Sequence, residues 1–266
     1  MEKNRNFVEK CKDFLTKRYN SKQTQKCYLK EIEIFLKDKN PYQINMEDIN
    51  DYLIKFENSS RSKQNQVIAS LKCLYLDILG RKNWKFYFIR AKKKEYLPTL
   101  KSKEEIKKIL DSIPNLKHKA ICSLLYGCGL RLDELLNLKL NHILSKQNLV
   151  KVVQGKGSKD RFVPLSENLL KLLREYYIKY KPKEYLFEGQ SKITRKYGRG
   201  SVGEIVEKYF GKEFHPHLLR HCYGTHLVEA GVELNKVQKL MGHANIKSTQ
   251  IYIKTANNLQ NIPQLV

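Results

Sequence analysis

The fold class this sequence predicts is mainly α with one small β-hairpin or sheet, an α+β arrangement in two parts. Three observations lead there. Apolar residues recur at i, i+3 and i+4 through most of the chain, beginning with Phe7, Val8, Cys11, Phe14 and Leu15. One stretch, from Leu149 to Leu165, instead reads as two short strands around a glycine-bearing turn. Between the two regions the pattern breaks at Arg90, Lys92, Lys93 and Lys94 and ends at Pro98, as a basic linker would.

In order, the first helix carries the Phe7–Leu15 stripe. Ser21 is the expected N-cap of a second helix, with Tyr28, Ile32, Phe35 and Leu36 on its apolar side. A third spans about 47–56. A fourth, about 62–79, carries Val67, Ile68, Leu71, Leu74, Tyr75 and Ile78, and Gly80 stops it. The second region restarts at a capping box, Ser102 and Glu105, ahead of Ile106, Ile109, Leu110 and Ile113. A short apolar helix, about 120–126, ends at Gly127-Cys128-Gly129, and another begins at Leu130-Arg131-Leu132-Asp133-Glu134. The hairpin follows, with Lys156 between two glycines at its turn. A helix over about 166–180 ends ahead of Pro182. Residues 189–200 form a basic loop, after which Ser201 and Glu204 are read as the cap of the next helix. Pro216 then opens a helix whose buried face is Leu219, Cys222, Tyr223, His226 and Leu227, leaving His217, Arg220, His221 and Gly224 on the opposite face. A last helix, 233–241, is stopped by Gly242.

Composition narrows the function. Lys and Arg number 51 against 27 Asp and Glu, a formal charge of +24. The excess is spread along the chain: 22 against 12 up to Glu95, and 29 against 15 beyond. Both regions therefore suit a polyanion, with a Lys-, Asn- and Ile-rich coding bias as the bland alternative. The six cysteines show no paired spacing, which argues against a disulfide framework or a zinc site and for a reducing cytoplasm. No secretory leader or membrane-spanning run is read. The hairpin turn is not a phosphate-binding loop of the Walker type, since Gly157 rather than Ser or Thr follows the lysine.

Chemistry concentrates late. Five of the seven histidines fall within 215–252. The polar candidates are Arg131, Lys156, His217, Arg220, His243 and Tyr252. Two guanidiniums can grip the non-bridging oxygens of one phosphate, and a tyrosine hydroxyl can attack that phosphorus. The phenol, with an ordinary pKa of about 10, needs an imidazole or a cationic setting to react at neutral pH. A lysine on a turn can protonate the leaving oxygen. Cationic side chains would then carry the transition-state charge, and no metal or other cofactor is called for.

These residues sit in Gly127-Cys128-Gly129-Leu130-Arg131-Leu132-Asp133-Glu134-Leu135, Gly155-Lys156-Gly157-Ser158-Lys159-Asp160-Arg161, His217-Leu218-Leu219-Arg220-His221, Leu240-Met241-Gly242-His243 and Thr249-Gln250-Ile251-Tyr252. In these five blocks, in order and spacing, the chain resembles the tyrosine recombinases, the phage-type integrases and Xer-type recombinases. The N-terminal part resembles the family's helical core-binding domain in pattern rather than motif. The resemblance implies a two-domain C-shaped DNA clamp: a SAM-like domain over 1–90, a basic linker over 91–98 and a catalytic domain over 99–266. It also implies that no arm-binding domain precedes the first helix. Arg131 and Arg220 would clamp the scissile phosphate, Lys156 would protonate the departing 5′-oxygen and His217 would assist proton transfer. His243 would hydrogen-bond a phosphate oxygen, Glu134 would support the geometry, and Tyr252 would form a 3′-phosphotyrosyl bond. The implied function is site-specific recombination of double-stranded DNA through a Holliday junction. It would be carried out by a homo-tetramer on two sites in the cytoplasm, away from any membrane and with any accessory protein left open. A tail carrying Leu259, Ile262 and Leu265 would dock on a neighbouring protomer. A type IB-like nicking and resealing enzyme and a catalytically silent DNA-binding relative are the alternatives.

Overall fold

The computed structural model describes residues 2–37, 39–85, 100–153, 160–190 and 195–242, with Thr249 and Tyr252. It divides into two compact units, Met1–Tyr96 and Leu97–Val266. The basic linker, Lys156, His243 and the C-terminal tail lie outside the described residues. Helices dominate, accompanied by a three-stranded sheet.

In the first unit α1 (Glu2–Arg18) packs on α2 (Lys22–Leu36), and α2 in turn on α4 (Arg61–Lys72), with α3 (Met46–Ile54) against α4. The sequence stripes are the ones buried: Phe7, Cys11 and Leu15 meet Ile32, Phe35, Val67 and Leu71. The second helix starts where Ser21 accepts from the Thr24 N–H, at 3.3 Å. The fourth helix does not run through to residue 79 as an α-helix. From Cys73 to Ile78 it widens into a π turn, where the Leu79 N–H reaches the Leu74 carbonyl. One carboxylate is buried here, Glu31, and it is satisfied by the Tyr52 hydroxyl at 3.0 Å and by Lys63 at 2.5 Å.

The second unit is built around α6 (Leu116–Gly127). Its buried Ala120, Ile121, Cys122, Leu124 and Leu125 face neighbours on most sides, so it is apolar nearly all round. Packed on it are α5 (Lys103–Ser112), α7 (Leu132–Leu136), α8 (Glu167–Tyr180), α9 (Arg199–Phe210) and α10 (Pro216–Glu229), with α11 (Leu234–Met241) beyond α10. The capping box at Ser102 forms in both directions, at 2.7 and 3.2 Å. The expected cap at Ser201 does not form: α9 begins at Arg199 behind Gly198, which puts Ser201 inside the helix. The basic loop therefore ends earlier than its composition suggested.

The hairpin gains a third strand. β1 (Ile143–Leu144), β2 (Leu149–Val152) and β3 (Arg161–Pro164) form an antiparallel sheet in sequence order, with Val150 opposite Val163 and Val152 opposite Arg161. Side chains alternate, so Arg161 and Val163 point inward while Phe162 stays exposed. Among the described residues no helix is long and apolar enough to cross a membrane. All six cysteines are free thiols, five of them buried.

Candidate active site

The site begins at the turn between α6 and α7. Gly129 takes a positive φ of 56°, and a Cβ there would lie 2.3 Å from the Tyr223 ring, so only glycine suits the position. The turn delivers Arg131 to the start of α7, where its backbone N–H donates to Glu134 Oε2 at 2.7 Å and its Nη1 to Oε1 at 2.8 Å. Arg131 and Glu134, three residues apart, thus cap the helix. The pair also starts a larger cluster.

Glu134 is nearly buried and holds three guanidiniums. Arg161, reaching in from β3, grips it bidentately at 2.7 and 2.8 Å, and Arg220 Nη1 stands 3.6 Å from Oε2. The same three arginines terminate α11. Arg161 Nε donates to the Leu240 carbonyl at 2.7 Å, Arg131 Nη2 donates to that of Gly242 at 2.7 Å, and Arg220 Nη2 donates to that of Met241. Arg220 Nη1 also donates to the Gly129 carbonyl at 2.5 Å. The last carbonyls of a helix lack intrahelical partners and carry its negative end, so cations there satisfy both needs. Gly242 closes α11 in the left-handed conformation, φ 61°.

Three guanidiniums against one carboxylate leave the cluster cationic. Burial pushes the Glu134 carboxyl up, but bonding and charge from Arg161, the Arg131 N–H and the Arg220 charge together lower it from 4.5 to about 2. Its folded pKa is depressed, so the stability it contributes is complete above pH 4.5 and is lost as the pH falls toward 2. The shift corresponds to about 3 kcal/mol. In urea melts of the free protein, the gap between wild type and Glu134→Gln should narrow by about that much between about pH 6 and about pH 2.5. A gap that stays constant over this range contradicts the ion-pair account.

Burial and the neighbouring Arg131 bring Arg220 down to about 10, which leaves it charged at neutral pH. His217, one turn before Arg220 on α10, is held below its ordinary value by partial burial and by Arg220, His215, Arg131 and Arg199. It is therefore a neutral imidazole at pH 7, able to accept a proton. Tyr252 is 2% exposed. Its ring covers Gly224, one turn beyond Arg220, where an added Cβ would lie 2.7 Å from ring atoms. Burial raises the phenol, while the charges of Arg220 and Arg131 oppose that rise.

The structure thus brings Arg131, Glu134, His217, Arg220 and Tyr252 into one neighbourhood; Lys156 and His243 lie outside the described residues. The helix-face expectation for α10 needs correcting. Arg220 and Gly224 were assigned to a face opposite the core, yet both are buried, one under ion pairs and the other under the Tyr252 ring. Sequence reasoning missed Arg161 and underrated His221, whose ring meets that of Tyr252 edge-on at 5.6 Å. The signal for Arg161 was present: an arginine on the inward phase of a strand, two residues from an inward valine.

Comparison with known proteins follows this geometry. Residues 101–258 match the phage integrase family, and residues 7–84 match the phage integrase N-terminal SAM-like domain. A putative integrase/recombinase, y4qK, of Sinorhizobium fredii is 35% identical over 247 residues, covering 88% of this chain and 80% of its own. Tyrosine recombinase XerA of Pyrococcus horikoshii is 34% identical over 258 residues, covering 94% and 90%. Among solved structures, a XerA recombinase aligns with a TM-score of 0.53 at 25% identity over 93% of both chains. The Tn1549 transposon integrase in complex with transposon right-end DNA aligns at 0.71, with 18% identity over 95% of this chain and 98% of that one, a likeness of fold.

Proposed function

The chain belongs to the phage integrase family, the tyrosine recombinases, which cleave and rejoin DNA at specific sites, and on that premise we propose how its own residues carry the reaction. Arg131 and Arg220 bind the non-bridging oxygens of the scissile phosphate. The Tyr252 hydroxyl attacks phosphorus, His217 accepts the phenolic proton, and the bond from phosphorus to the 5′-oxygen breaks as Lys156 supplies a proton to that oxygen. His243 donates to a phosphate oxygen. The product is a 3′-phosphotyrosyl bond, which keeps the energy of the broken linkage so that the reverse attack by a 5′-hydroxyl reseals DNA without ATP.

One observation supports this reading most: the Tyr252 ring packs over Gly224 of α10, one turn beyond Arg220, within the field of both Arg220 and Arg131. A buried phenol beside two arginines and a neutral imidazole has the groups that phosphoryl transfer to tyrosine requires. A DNA-binding protein without catalysis has no need of that seat.

Residues 1–90 act as the core-binding domain and 99–266 as the catalytic domain, each acting on double-stranded DNA. Four protomers work on two sites through a Holliday junction, in the cytoplasm on nucleoid DNA. A plasmid carrying two copies of the duplex that the protein selects from a random-sequence library tests this. Recombinant circles and trapped four-way junctions are the expected products. Relaxation of supercoils with no exchange between sites contradicts recombination and favours the nicking and resealing alternative.

A further inference from the structure

Arg161 is the arginine of the cluster that the reaction as proposed leaves unused. It is 9% exposed, and its bonds run inward: two to Glu134 and one to the Leu240 carbonyl. All three of its guanidinium nitrogens are engaged within the protein. Arg161 sits opposite the buried Val152 and two residues from the buried Val163, and replacing it alone would leave the Glu134 carboxylate without its bidentate partner. Its three bonds do something a hydrophobic residue cannot: they tie β3, the first turn of α7 and the end of α11 to one plane.

We propose that Arg161 is a positioning residue for strand cleavage, holding Glu134 and the end of α11 so that Arg131 and Arg220 face one phosphate. The inference rests on the assignment of those two arginines as the phosphate clamp. Transmission runs through shared acceptors. Glu134 accepts from Arg161 and Arg131 with the same two oxygens, and α11 offers adjacent carbonyls to Arg161, Arg220 and Arg131. Without Arg161 the carboxylate is left to Arg131 and Arg220, the other charged groups that face it, from α7 and α10. It then draws both away from the phosphate. A misplacement of about 1 Å near a reacting centre costs about 100-fold in rate.

The test uses a nicked suicide duplex built on the sequence that the wild-type protein selects from a random library. Single-turnover adduct formation and DNA affinity are measured for wild type, Arg161→Met, Arg161→Lys and Arg161→Met with Glu134→Gln, each with a thermal melt. Arg161→Met should form adduct about 100-fold more slowly while its affinity stays within about threefold of wild type. Arg161→Lys keeps the charge without the fork and should recover part of the rate. Adding Glu134→Gln to Arg161→Met should cost no more than the first change alone, since both act through one pair.

A wild-type rate in Arg161→Met overturns the proposal. So does a loss that tracks the unfolded fraction, a loss matched by weaker binding, or the absence of any recovery in Arg161→Lys. If Arg161→Met is unfolded at the assay temperature, Arg161→Lys decides: slower adduct formation at unchanged DNA affinity is expected, and a wild-type rate overturns the proposal. Failure of the wild-type protein itself to form adduct would refute the proposed function, a separate outcome.

Discussion

Tyr252→Phe should abolish the covalent protein–DNA adduct, by a factor on the order of 10⁴ or more, while DNA affinity stays within about twofold. The change removes one oxygen and keeps the ring, whose seat on Gly224 and edge contact with His221 are made by carbon. The packing of the ring is therefore kept while the nucleophile is lost. The pKa directions set the protonation states before attack. Burial keeps Tyr252 a neutral phenol at pH 7, and His217 is a neutral imidazole, so a proton must pass from one to an acceptor as the phosphorus bond forms. Adduct formation measured against pH should accordingly be supported at neutral pH and decline as His217 protonates below its ordinary value of 6.5. Adduct surviving Tyr252→Phe at more than a trace contradicts the assignment of the nucleophile.

Arg220→Ala should be the next most damaging change, for two reasons that can be measured apart. Its guanidinium bonds the Gly129 and Met241 carbonyls and lies close to Glu134, so its loss leaves buried acceptors unpaired. That should cost about 2–4 kcal/mol in a urea melt. A guanidinium has five N–H groups, so two bonds to carbonyls leave others for a phosphate oxygen, and losing them should slow cleavage about 10³-fold. Arg220→Lys separates the two effects. A lysine keeps a cation but cannot span both carbonyls, so most of the rate loss should remain even where stability partly returns. A rate within about tenfold of wild type in Arg220→Lys would mean that charge alone suffices at this position.

Much of this fold could be read from the chain because its local chemistry agrees with its packing. Ser21 and Ser102 cap helices where capping residues should, and the Phe7–Leu15 stripe forms the first core. Ser201 misled because a capping pattern is also satisfied inside a helix, and Gly198, which begins α9, makes no side-chain bond that a pattern could reveal. The π turn at Cys73 was hidden for a similar reason, since a single widened turn does not disturb an apolar stripe. The reacting residues were legible as types in blocks. How the arginines are held was not, because their partners are the carbonyls of Gly129, Leu240, Met241 and Gly242, and a backbone acceptor leaves no mark in sequence. Arg161 showed only as an arginine on the inward phase of β3, and the buried second face of α10 emerges only when the Tyr252 ring is placed over Gly224.

Tyr252 forms the bond to DNA in the proposed reaction. Trapping wild-type protein on the nicked suicide duplex, digesting both partners and sequencing the cross-linked peptide by mass spectrometry tests it most directly. The account predicts a nucleotide attached through its 3′-phosphate to the hydroxyl of Tyr252. A nucleotide on any other side chain, or attached through a 5′-phosphate, would contradict it.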